Sequence, residues 1–227
     1  MPSPAPNSII VTIDGPAGSG KSTAARTLAA RLGFEFLDTG AMYRAVAWSC
    51  LKSESSPEDE SLVSELTRSL NIQFQNGRLL INQYDVTDEI RTSAVSTVAS
   101  VVAQHPAVRD TLVDLQRACA EHGNTVTEGR DQGTIVFPNA DCKFFLTARP
   151  EVRAQRRYEE MPDDSDRPEF EQLVEEIRER DYRDANRSIA PLRPADDAVS
   201  IDTSDSNLEE VVQVMEARVC EKSGPFK

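Results

Sequence analysis

The chain has 227 residues, 39% of them hydrophobic and 28% charged, which is ordinary globular usage and excludes a fibrous repeat or long-range disorder. Its formal net charge of −13 would repel a nucleic-acid polymer or an anionic membrane, so an anionic substrate needs a local cationic site. No apolar run reaches the ~18 residues of a membrane span, and the start lacks the basic and apolar segments of a secretion signal, so a cytoplasmic protein is expected.

Pro2, Pro4 and Pro6 mark residues 1–8 as a flexible arm, and a single domain is expected over 9–227. Ile9 to Ile13 is a β-branched apolar run that leads through Asp14 into a Gly-rich turn. Thr23 to Leu32 then shows helical periodicity and stops at Gly33. Phe34 to Leu37 reads as a short strand, and Ala41 to Leu51 as a helix, so the opening half is α/β. After a Ser-rich acidic stretch, Ile72 and Phe74 alternate up to Asn76-Gly77, and Leu79 and Ile81 follow. That is the pattern of a tight hairpin, here interrupting the α/β alternation as an inserted subdomain.

Two helical stretches flank Pro106, which suits a helix start. Thr125 to Thr127 and Lys143 to Leu146 read as strands, Pro150 to Glu160 as a helix, and the Pro- and Asp-rich Met161 to Pro168 as an exposed loop. A helix from Glu169 to about Asn186, a strand at Ala198 to Ile201 and a helix from Leu208 to Val219 close the chain. Such alternation fits a parallel sheet covered on both faces by helices, with the hairpin region and the acidic loop projecting as lids over the rim where strands end. The four Cys are far apart and form no C-x-x-C pair, so neither a zinc knuckle nor a disulfide framework is indicated.

Gly15-Pro16-Ala17-Gly18-Ser19-Gly20-Lys21-Ser22 matches the P-loop pattern between a strand and a helix, with Thr23 just inside the helix. Backbone N–H groups of such a loop turn inward around phosphate oxygens, Lys21 reaches the β and γ phosphates, and the Ser22 hydroxyl is placed for Mg²⁺. A guanine-reading Asn-Lys-x-Asp motif, which a GTPase switch would need, does not occur.

The cations are strongly biased: 20 of 25 are Arg, and nine of these lie between Arg149 and Arg187. Arg180, Asp184 and Arg187 are spaced i, i+4, i+7 and would share one helix face. Two readings stay open there: a phosphate and hydroxyl grip, or a solvated stripe of ion pairs. Arg149, Arg153, Arg156 and Arg157 would crowd one side of the preceding helix and repel each other until an anion arrives. Glu128 ends a strand in the manner of a carboxylate that holds Mg²⁺ through water, and Arg130 and Asp131 follow it. Thr39, also at a strand end, could serve only to cap the next helix.

Taken together, the P-loop, Leu37-Asp38-Thr39-Gly40-Ala41-Met42-Tyr43-Arg44, Asp85 to Arg91, Glu128-Gly129-Arg130-Asp131-Gln132-Gly133-Thr134 and Arg180 to Arg187 resemble bacterial cytidylate kinases, in order, from about Ile9 to Val219. The resemblance implies a P-loop NTPase fold: a five-stranded parallel sheet, an inserted nucleotide-monophosphate region over about 39–100 with a small antiparallel sheet, and a short lid over about 153–170. It implies transfer of the γ-phosphoryl group of ATP to CMP or dCMP with Mg²⁺. On matching positions, Ser100, Arg109 and Asp131 would read cytosine and Asp184 would hold the sugar hydroxyls. Thr39, Arg44, Arg130, Arg180 and Arg187 would surround the CMP phosphate and the transferring group, with Lys21, Arg130, Arg180 and Arg187 catalytic. Arg153 and Arg157 would join the P-loop on ATP. A uridylate or adenylate kinase is the nearest alternative, and a non-catalytic ATP-binding regulator is one from another class. A monomer is expected.

Overall fold

The computed structural model describes residues 8–75, 77–161 and 167–223. Most of the expected N-terminal arm, Asn76 of the hairpin turn and 162–166 of the acidic loop lie outside the described residues. The chain divides into two compact units, one of Met1–Leu37 with Ala120–Lys227 and the other of Asp38–Cys119.

In the larger unit the strands are β1 (Ile10–Asp14), β2 (Glu35–Asp38), β6 (Thr125–Gly129), β7 (Cys142–Thr147) and β8 (Val199–Asp202). Their order is β2-β6-β1-β7-β8. β1 pairs in parallel with β6 on one side and with β7 on the other, with Ile13 opposite Glu128 and Phe144, and β8 extends β7 in parallel. Alternation along β1 sends Val11 and Ile13 to the face covered by α1 (Lys21–Leu32) and α8 (Leu208–Ser223). There they pack with Leu28, Leu146, Val212 and Met215, all fully buried, each large side chain contributing about 1.5–3 kcal/mol of transfer energy. This places the ends of β1 and β6, and hence Asp14 and Glu128, on a rigid rim.

Helices α6 (Pro150–Glu160) and α7 (Phe170–Asn186) form a hairpin with its own small core of Ala154, Leu173, Val174 and Ile177. α7 ends at Asn186: Arg187 has φ −65° and ψ 142°, an extended conformation, and Leu192 N–H closes the turn onto the Asp184 carbonyl at 2.8 Å. The expected common face of Arg180, Asp184 and Arg187 therefore holds only for the first two. Arg187 leaves the helix and donates through Nε to the Ala190 carbonyl.

The smaller unit holds α2 (Thr39–Lys52), α3 (Glu60–Ser69), α4 (Ser93–Val102), α5 (Pro106–Ala120) and an antiparallel sheet of β3 (Ile72–Gln75), β4 (Arg78–Ile81) and β5 (Tyr84–Asp85). Gln75 pairs with Arg78 across the two-residue turn, as the hairpin signal requires. Helix α3, absent from the sequence reading, starts where Asp59 accepts from Leu62 N–H at 3.1 Å. No helix of the described residues is long and apolar enough to cross a membrane.

Candidate active site

Gly15 opens the P-loop with φ 152°, and a Cβ there would lie 2.0 Å from the Leu146 carbonyl oxygen, so no other residue fits. Helix α1 starts at Gly20 with no side-chain cap and no acidic residue in its first turn. Its leading N–H groups and positive dipole end are thus left uncapped by the helix's own side chains, as an anion site requires. Glu128, buried at the end of β6, binds both chemical residues of the loop: Lys21 Nζ lies 3.3 Å from Oε2, and Ser22 Oγ donates to Oε1 at 2.7 Å. A hydroxyl and a carboxylate are hard oxygen donors, the kind that suit Mg²⁺. Among the described residues no cluster of three or more His, Cys, Asp or Glu is placed to hold a metal ion.

Beside the loop is a cavity of about 270 Å³ lined by Gly20, Thr23, Arg156, Thr203, Asn207 and Leu208 among others. Arg156 donates to the Thr203 carbonyl at 2.6 Å, to Thr203 Oγ1 at 3.1 Å and to the Gly18 carbonyl at 3.3 Å. The sequence reading had Arg156 only as one of four crowded cations. Its neighbour Arg157 points about 100° away around the helix, so only one of the adjacent pair can face this cavity.

The expected repulsive cluster on α6 is in fact dispersed. Arg149 forms a bidentate pair with Asp205 at 2.7 and 2.8 Å, Arg156 is held by Thr203, and Arg153 binds the Ala148 carbonyl at 2.8 Å, the Ala17 carbonyl at 3.2 Å and Asp181. Each guanidinium has its own acceptors, but only Arg149 and Arg153 are met by a carboxylate, whereas Arg156 is held by neutral oxygens alone.

On the other side of the P-loop, Arg130 donates through Nη1 to the Gly15 carbonyl at 2.9 Å and through Nε to Asp184 Oδ2 at 3.2 Å. Asp131, buried, begins a single π-type turn over Gln132–Val136. Asp14 fixes that turn by accepting from Gln132 and Gly133 N–H, each at 2.8 Å, and burial pushes its carboxyl up to about 7 against the pull of those two donors. Arg180, half-buried, has an Nε with no hydrogen-bond partner. Burial, followed by the nearby charge of Arg130, pushes its guanidinium down to about 10; Asp184 opposes this, while Arg157 and Arg183 add to it. The structure thus brings Arg130, Arg180 and Asp184 together, with Arg157 near enough to be felt. An anion arriving there would relieve the repulsion.

In the smaller unit Thr39 is the first residue of α2 and is buried. The helix is capped by Asp38, which accepts from Ala41 N–H at 2.8 Å, so the capping role considered for Thr39 belongs to its neighbour. Asp38 also holds Arg44 Nη2 at 3.2 Å. Arg109, on α5 and buried, lies with its guanidinium carbon 5.8 Å from the centroid of Tyr43. Ser100 is on α4 and donates to the Ser96 carbonyl at 3.2 Å.

A family model described as cytidylate kinase matches residues 11–220. The cytidylate kinase of Halalkalibacterium halodurans is 45% identical over 216 residues, covering 93% of this chain and 97% of that protein. That of Methylococcus capsulatus is 48% identical over 208 residues, covering 90% and 94%. Among solved structures, an uncharacterized protein from Eubacterium ventriosum superimposes with a TM-score of 0.50 at 10% identity, covering 93% of this chain and 98% of that one, a likeness of fold alone. With the family model spanning nearly the whole chain and relatives of this identity covering nine-tenths of it, the chain belongs to the cytidylate kinase family.

Proposed function

We propose that this enzyme transfers the γ-phosphoryl group of ATP to CMP or dCMP, giving ADP and CDP or dCDP, with Mg²⁺. The observation that carries this reading is the Arg130, Arg180 and Asp184 cluster tied through Arg130 to the first carbonyl of the P-loop. A second anion site fastened to an ATP phosphate loop is what phosphoryl transfer between two nucleotides requires.

Phosphoryl transfer asks little covalent chemistry of the protein; it asks for two nucleotides in line, water excluded and oxygen charge neutralised. Residues Gly15, Pro16, Ala17, Gly18, Ser19, Gly20, Lys21, Ser22 and Thr23 take the ATP phosphates, and the cavity beside Arg156 takes the donor base. Ser22 and Glu128 would hold Mg²⁺, which would supply charge neutralisation for the phosphates. Lys21 then exchanges its contact with Glu128 for phosphate oxygens.

Arg130, Arg180 and Arg187 receive the CMP phosphate and the transferring group, and Asp184 takes the sugar hydroxyls. Asp184 Oδ2 is engaged by Arg130, while its Oδ1 accepts no bond from the described residues. Asp131 reads the cytosine amine. In the smaller unit Thr39, Arg44, Ser100 and Arg109 are assigned to CMP, a role that the family and the Asp38 brace on Arg44 support.

The test is ADP release from Mg²⁺-ATP with CMP, dCMP, UMP and AMP as acceptors. Turnover that depends on CMP or dCMP and is weaker with UMP and AMP supports the reading. ADP release independent of CMP, or a preference for another monophosphate, overturns it.

A further inference from the structure

Arg153 is the most enclosed cation on α6, its side chain only 3% exposed. Its three donor nitrogens are spent on three different segments. Nε donates to the Ala148 carbonyl, just after β7; Nη1 donates to the Ala17 carbonyl in the P-loop and to Asp181 Oδ1 at 3.0 Å; Nη2 donates to Asp181 Oδ2. The P-loop also rests on the residue itself: a Cβ added at Gly18 would come within 3.0 Å of the Arg153 Cβ. Asp181 follows Arg180 directly and precedes Asp184 by less than one turn of α7.

From this geometry we infer that Arg153 and Asp181 are positioning residues, a buried strut that holds the acceptor-side end of α7 in register with the ATP phosphate loop. The inference rests on the proposed CMP reaction and reassigns Arg153 from ATP ligand to brace. A planar fork meeting a carboxylate through two parallel bonds fixes direction as well as distance, which a lone contact does not. Because the same Nη1 also holds the Ala17 carbonyl, a shift of α7 and a shift of the P-loop cannot occur independently. Without the strut both nucleotides still find their ligands, but the attacking oxygen and the γ phosphate lose alignment.

The same two helices supply an internal control. Arg178 also joins Glu151 across the α6 and α7 pair at 2.6 Å, but both side chains are about half exposed and neither carries a hydrogen bond to the P-loop. If any cross-link between these helices sufficed, this pair would do the same work.

The experiment compares wild type, Asp181→Asn, Arg153→Lys, their double variant, Asp181→Glu and Glu151→Gln, with melting temperature, kcat and both KM values for each. Misalignment of reacting groups by about an ångström costs on the order of 10² in rate, so Asp181→Asn and Arg153→Lys are each expected to lower kcat at least about tenfold, with both KM values little changed and the double variant no worse than either single one. Asp181→Glu should recover part of kcat, and Glu151→Gln should match wild type. A lower melting temperature with kcat intact would overturn the inference in favour of a purely structural pair. A raised KM for ATP in Arg153→Lys, with Asp181→Asn silent, would overturn it in favour of a direct ATP ligand. Failure of the underlying reading is seen separately, as wild type that releases no ADP in response to CMP.

Discussion

Lys21 and Arg180 both carry a positive charge out of bulk water in the larger unit, yet their surroundings are built on opposite principles. Lys21 lies against Glu128 at 3.3 Å, with Ser22 donating to the same carboxylate, so the charge at the P-loop is balanced before a ligand arrives. Arg180 is pushed down to about 10 by burial and by Arg130, and its Nε has no partner. The first site must exchange an internal ion for phosphate, whereas the second is short of an anion from the start. Such an excess of buried charge costs folding energy, which proteins tolerate at functional sites. The contrast separates Arg180, whose Nε is left without an acceptor, from Arg149 and Arg153, whose guanidinium groups are each held by a carboxylate of the protein.

The comparison can be broken most sharply at the P-loop. Lys21→Met should lower kcat by about 10² or more, because a contact aimed at developing charge is worth on the order of 3 kcal/mol. It should also lower the melting temperature, since Glu128 is then buried without its cation. Steady-state kinetics and a thermal scan of one variant check both, and normal turnover would remove Lys21 from the reaction.

Next in size is Asp184→Ala, for which KM for CMP should rise about tenfold or more while KM for ATP stays nearly constant, because the proposed reading gives this carboxylate to the CMP sugar alone. Equal mild effects on both would favour a surface ion-pair role. A smaller, more selective effect is expected at Asp131. UMP presents a carbonyl where CMP presents an amine, so Asp131→Ala should reduce the preference for CMP by on the order of 1–3 kcal/mol, read as the CMP to UMP ratio of kcat/KM. An unchanged ratio would place base reading elsewhere.

Local signals carried most of the fold. The P-loop, the helical periodicity of Thr23 to Leu32 and the alternation on either side of Asn76-Gly77 are contained in short windows, and α1 and the β3–β4 pair formed where their patterns predict. Other elements were missed, among them α3, although Asp59 caps it locally, β5, which is two residues long, and the π-type turn over Gln132–Val136, which depends on the Asp14 carboxylate, 118 residues away from Gln132. At the site, residue types pointed to the right chemistry, but not to which Arg would be compensated. Asp181 lies 28 residues from Arg153 and Asp205 lies 56 from Arg149, so those pairings arise from packing of α6 against α7 and against the end of β8. Arg187 shows the limit of spacing arguments, since i+7 places a residue on a helix face only if the helix is still there.

The claim that Arg180 is held at a folding cost as a phosphate receptor is tested most directly by one measurement: the melting temperature of Arg180→Met against wild type, without ligand and with CMP. If the account is right, the ligand-free variant melts higher than wild type, by an amount equivalent to roughly 1–2 kcal/mol, and CMP no longer stabilises it as it does wild type. A ligand-free variant that melts lower than wild type, or one that CMP stabilises as well as it does wild type, would contradict it.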